Sequence, residues 1–139
     1  MIIVDTDVFS AIMKQGSMEV VSWLNRQPRE DVHLSVVSWF EILSGIEDLR
    51  DANKRRELHT AAGKALDVLG RRIVPFDTHA AGVAGDLYGK RRRRGFLVGV
   101  ADTQIAGIAI SRGATLATRN VRHFSDLSVS VVNPWEARR

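Results

Sequence analysis

The chain has 139 residues, 45% hydrophobic and 26% charged, with no cysteine and a formal charge of +4. This is the composition of one globular domain, expected to span residues 1–139, with a real core. Disulfides and cysteine-ligated metal centres are excluded, and no apolar run reaches the ~20 residues of a membrane span.

Ile2–Val4 reads as a strand that Asp5 ends. It carries no basic leader, so it does not resemble a signal peptide and a cytoplasmic location is expected. Residues 8–13 and 18–25 read as short helices, the second with Val20, Val21 and Leu24 on its apolar side. Residues 28–31 form a polar break, and residues 32–34 a strand alternating around His33. From residue 36 to about 49, Val36, Val37, Phe40, Leu43 and Ile46 recur at helical spacing. Residues 54–69 predict a charged helix, and residues 73–76 a strand whose Pro75 suits a sheet edge. Asp77 or Thr78 caps the next helix, striped by Ala80, Val83, Ala84, Leu87 and Tyr88. Residues 100–111 form a further helix, with Gly113 as terminator. Residues 115–117 and 129–132 are the last strands. The alternation predicts right-handed βαβ crossovers and a three-layer α/β/α domain around a mostly parallel sheet of about five strands. In such a sheet the site lies outside the carboxyl ends of the strands.

Acids fall there. Asp5 closes the first strand and Asp7 follows two residues on. Asp5, Thr6 or Asp7 can also cap the next helix. Glu41 lies among Trp39, Phe40, Ile42 and Leu43, where an unpaired carboxylate is costly to bury. Either it faces a partner, or it forms a capping box with Ser38, although Ser35 is the better cap. Asp102 opens the helix from residue 100, where the helix dipole alone favours an acid. If Asp5, Glu41 and Asp102 converge, three carboxylates repel at close range. A hard divalent cation, Mg²⁺ or Mn²⁺, removes that conflict, whereas zinc finds no Cys and no His pair at ligand spacing. Such a centre suits phosphodiester hydrolysis, with a spare carboxylate as general base.

Charge is unevenly divided. Residues 1–86 hold 10 basic and 13 acidic side chains, and residues 87–139 hold 10 and 3. Lys90, Arg91, Arg92, Arg93 and Arg94 form an acid-free run. It is either a solvated helix end or a phosphate-binding segment, and such density favours nucleic acid. His33 and His59 read as structural or solvated, while His123 falls near the acids without an assigned role. Trp23, Trp39 and Trp135 read as core or dimer contacts.

Several pieces, in order, carry a resemblance. They are Ile2-Ile3-Val4-Asp5-Thr6-Asp7-Val8, Ser38-Trp39-Phe40-Glu41-Ile42 with Gly45, Ala101-Asp102-Thr103-Gln104-Ile105-Ala106, Leu116-Ala117-Thr118-Arg119-Asn120 with Phe124, and Val132-Asn133-Pro134-Trp135. Together they resemble PIN-domain ribonuclease toxins of the VapC family, in the FitB-like branch. The resemblance implies a homodimer that cleaves RNA with Mg²⁺ or Mn²⁺. It also implies a cognate VapB-type antitoxin, through which alone the complex reaches operator DNA, and no membrane partner. The family's catalytic positions fall on Asp5, Glu41, Asp102 and Asn120, with Asp5 and Asp102 on the metal and Asp7 and Thr118 in support. Asn120 departs from the Asp often found there, which weakens a second metal site; Asp7 replaces a frequent Asn.

Two rival readings remain. Val4-Asp5-Thr6-Asp7-Val8 also fits the opening of a haloacid-dehalogenase-type phosphatase, with Asp5 as nucleophile and Asp7 as general acid. Alternatively, the chain is a non-catalytic nucleic-acid-binding module whose acids are helix caps.

Overall fold

A computed structural model describes residues 1–137. Its elements are β1 (Ile2–Val4), α1 (Thr6–Lys14), α2 (Met18–Asn25), β2 (Val32–Ser35), α3 (Val36–Glu47), α4 (Ala52–Val68), β3 (Ile73–Val74), α5 (Thr78–Arg93), α6 (Val100–Arg112), β4 (Thr115–Ala117) and β5 (Val131–Val132). Short 3-10 turns cover Arg29–Asp31 and Val121–Phe124.

The five strands form one sheet in the order β3-β2-β1-β4-β5. Every pairing is parallel. The strands are short apolar runs, and alternate residues point to opposite faces. Ile3 and Leu116 enter the layer with Ala80, Ile105 and Ile108 of α5 and α6. Val4, Leu34 and Ala117 enter the other layer, with Phe9, Trp23, Ile42 and Leu66 of α1 to α4. The expected three layers are thus present.

α5 and α6 pack closely because Gly107 has no side chain. A Cβ there would lie 2.7 Å from the Ala80 carbonyl oxygen and 2.7 Å from Ala84 Cβ. Gly113, at φ 61°, ends α6 in the left-handed conformation. Two strands are shorter than expected. β3 stops at Val74 because Pro75 cannot donate to a ladder, and β5 starts only at Val131.

This topology creates the crevice. The chain leaves β1 for β2 and β3 on one side, then returns to β4 and β5 on the other. The reversal beside β1 opens a gap at the carboxyl ends of β1 and β4.

Candidate active site

β1 runs directly into α1, and Asp5 is the junction. Its N–H donates to Ala117 O at 3.0 Å, so the sheet still holds it. Its side chain caps α1, Oδ1 accepting from Val8 N at 3.0 Å. Oδ2 accepts from the Thr118 hydroxyl at 2.5 Å. Only 4% of the residue is exposed. Burial, with the charges of Asp7 and Asp102 adding to it, raises the carboxyl pKa to about 6 against the Thr118 and Val8 hydrogen bonds.

Thr118 follows β4 and links the strand ends. Its Oγ1 accepts from Asn120 N at 3.0 Å, and Asn120 Nδ2 donates to Asp7 Oδ2 at 3.2 Å. Asp7 and Asn120, the two positions that depart from the family pattern, are therefore in direct contact.

Glu41 lies in the second turn of α3. The cap of that helix is Ser35, whose Oγ accepts from Ser38 N at 3.0 Å. The Ser38 capping box does not form, and Glu41 is free to face α1. Thr6 Oγ1 donates to Glu41 Oε1 at 2.5 Å and stands 3.0 Å from Ser38 Oγ. Asp102 occupies the first turn of α6, and its Oδ2 is 2.8 Å from His123 Nδ1. His123 thus gains a partner that its sequence position did not reveal.

The acids from β1, α3 and α6 are held by Thr, Asn, backbone N–H and His. Among the described residues, no Lys or Arg pairs with Asp5, Asp7, Glu41 or Asp102. Nor do any three His, Asp or Glu side chains close into a ready-made metal cage. Mg²⁺ does not require one, since it keeps several waters and takes one or two carboxylates. An all-oxygen donor set, with Asp102 acting electrostatically on a buried and uncompensated Asp5, fits a hard divalent cation.

The basic run needs a correction. Arg91, expected from the sequence to contact RNA with its neighbours, is 1% exposed. Its Nε and Nη2 donate to Asp126 Oδ2 and Oδ1 at 2.9 and 2.7 Å. The last turn of α5 carries this one position inward, so Arg91 is closed to RNA. Lys90 pairs with Asp86 at 2.8 Å and Arg94 with Asp126 at 2.9 Å. Arg92 lies over the Tyr88 ring, and Arg93 is exposed. The tryptophans are packing residues: Trp23 is buried, Trp39 meets Phe9 edge-on, and Trp135 underlies Arg119.

A parallel sheet with uncompensated carboxylates gathered at its strand ends defines an acid-centred α/β domain of nuclease type. The match to known proteins is specific. A family model described as PIN domain covers residues 2–129. A VapC ribonuclease of Sinorhizobium fredii is 32% identical over 139 residues, spanning 98% of this chain and 99% of that protein. The toxin FitB of Neisseria gonorrhoeae is 33% identical over 137 residues, spanning 97% and 99%. A solved structure of FitAB bound to an IR36 DNA fragment gives a TM-score of 0.86 at 32% identity, covering 100% of this chain and 99% of that one. The chain belongs to the PIN-domain family, in its VapC branch.

Proposed function

We propose that the chain acts as one domain, a divalent-metal-dependent endoribonuclease and the toxin of a type II toxin–antitoxin pair. The observation that carries this reading is Asp5: buried at the end of the central strand, paired with no Lys or Arg among the described residues, and under the field of Asp7 and Asp102. Asp5 and Asp102 would hold Mg²⁺ or Mn²⁺. When bound, such an ion polarises a phosphoryl oxygen and makes a coordinated water more acidic. Thr118 fixes the direction of Asp5 Oδ2, while Asn120 fixes Asp7. Glu41 keeps Oε1 on the Thr6 hydroxyl, and its second oxygen takes a proton from the attacking water. Lys90, Arg92, Arg93 and Arg94 contact phosphates of the RNA, which would position it without reading its bases.

The experiment incubates purified protein with RNA plus Mg²⁺ or Mn²⁺, then adds EDTA. Cleavage is expected only with metal, and Asp5→Ala should abolish it. Cleavage that ignores EDTA sinks the mechanism. The phosphatase alternative leaves Glu41 and Asp102 without a role, whereas the nuclease reading uses both. Glu41→Gln separates the two activities, since it should end RNA cleavage and spare a phosphatase.

The partners follow from surfaces away from the site. A cleft of about 1110 Å³ between α1, α2 and α4 is lined by Ile12, Met13, Met18, Val21 and Leu24, with Arg26, Arg29 and Lys64 among its polar residues. Its apolar floor and basic rim suit an amphipathic, acidic segment of a VapB-type antitoxin. FitAB on DNA supports a tether of the same kind, the antitoxin carrying the toxin to operator DNA. Val21→Asp should abolish capture by the co-expressed antitoxin and leave RNA cleavage intact; retained capture refutes this docking. Exposed Phe40 (68%) and Leu97 (86%) supply apolar surface for a homodimer. No helix among the described residues is long and apolar enough to cross a membrane, and we place the activity in the cytoplasm.

A further inference from the structure

Arg91 heads the fully buried side chains by volume. A buried guanidinium needs partners, and each of its three nitrogens has one. Beyond its two-point pair with Asp126, Nη2 donates to the His123 carbonyl at 2.7 Å and Nη1 to Thr103 Oγ1 at 3.3 Å. The Phe96 ring centroid lies 5.2 Å from the guanidinium carbon. Thr103 in turn donates to Gly99 O at 3.0 Å, which secures the turn that launches α6.

These partners flank one pair of side chains. Thr103 follows Asp102, and the His123 carbonyl belongs to the residue whose ring meets Asp102. Arg91, Thr103, Asp102 and His123 therefore close a ring in which Arg91 holds the chain on both sides of the Asp102–His123 contact. Arg91 makes no hydrogen bond to the Asp102 carboxylate or the His123 imidazole among the described residues. Asp5 stands at the β1–α1 junction and Glu41 on α3, outside the ring.

We propose that Arg91 is a positioning residue: it fixes the Asp102–His123 pair across from Asp5 and thereby sets the affinity of the site for a divalent cation. The metal half of this statement rests on the nuclease reading; the positioning half rests on the ring alone. Groups that orient metal ligands from behind typically change metal affinity by roughly 10- to 100-fold when removed.

The test uses the full chain with Arg91→Met and Asp126→Leu combined, so that no buried charge is left unpaired. Arg91→Lys keeps the charge and loses the two-point fork, and it provides the second measurement if the double variant does not fold. Two quantities are read. One is the ¹⁵N spectrum of the His123 imidazole in metal-free protein, which reports the Asp102 contact. The other is Mn²⁺ affinity by calorimetry. The double variant should lose the wild-type His123 signature and bind Mn²⁺ roughly tenfold or more weakly, with Arg91→Lys intermediate. A wild-type His123 spectrum in a folded variant overturns the proposal, and so does unchanged Mn²⁺ affinity. If the wild-type protein itself takes up no Mn²⁺, the nuclease reading fails, and the His123 spectrum still decides the positioning role.

Discussion

Asp5 and Arg91 are both buried, and the fold treats their charges in opposite ways. Arg91 meets Asp126 in a two-point pair, and the Arg91 guanidinium holds the Asp126 carboxyl below its ordinary range. Asp5 receives only neutral donors, faces two further acids, and is pushed up to about 6. The paired charge is spent inside the protein, where it ties α5 to α6 and to the segment after β4. The unpaired charge stays available to something arriving from solvent. Sign and burial alone would not have separated the two regions; compensation does.

The largest expected effect breaks the acidic side. Asp5→Asn should lower single-turnover RNA cleavage in Mg²⁺ on the order of 10³-fold or more, while the cap on α1 survives because Asn also caps. Cleavage within tenfold of wild type would show that Asp5 is a cap and nothing else. On the basic side, Arg91→Met takes the two-point partner from Asp126, leaving it only the exposed Arg94, and should cost about 2–3 kcal/mol in urea unfolding, against under ~0.5 for Arg93→Met on the exposed face. Equal losses would erase the contrast.

The third effect concerns pH. Asp5 is easier to protonate in the folded chain than its ordinary value of 3.8. Its contribution to stability is therefore complete below about pH 4 and is lost as pH rises through about 6. From this group, metal-free protein should lose up to about 3 kcal/mol between those limits, and Asp5→Asn should remove that component. Urea unfolding of both proteins at about pH 4.5 and 7 provides the check; identical pH dependence contradicts the assignment. The smallest effect lies in the interface that carries Arg91 inward. Gly107→Ala meets Ala80 and Ala84 and should cost about 1–3 kcal/mol, read as a fall in Tm. Gly85→Ala enters open space on α5 and should be neutral or mildly stabilising.

Local chemistry was legible in the sequence. The spacing of Val20, Val21 and Leu24 placed α2 at its observed bounds, and Ser35, Asp77 and Gly113 act as the caps and terminator their types suggest. Asp5 was legible as a strand-end acid, where chemistry collects in a parallel sheet; Asp102 opens α6, which follows α5 rather than a strand, and was readable only as an acid in a first helical turn. What stayed hidden depends on distant partners. Nothing in five consecutive basic residues distinguishes Arg91 from its neighbours; the distinction is made by Asp126, brought in by α6 and β4. The same holds for His123, which meets Asp102 only because the Val121–Phe124 turn folds back over the start of α6. An Asp some 20 residues before a His carries no pattern by itself. Glu41 lay between: its cost of burial was readable, but its partner Thr6 was not.

The Asp5–Thr118 hydrogen bond joins residues 113 positions apart. β1 leaves the ribosome before the other four strands of the sheet, yet it sits in the middle of that sheet, and its neighbour β4 follows more than a hundred residues later. A nascent chain that has exposed Asp5, Glu41 and even Asp102 still lacks the strand that orients Asp5. The polypeptide being translated therefore cannot assemble this centre beside the RNA that encodes it until β4 and Thr118 have emerged. The residues that line the α1–α2–α4 cleft, 12–68, emerge well before then.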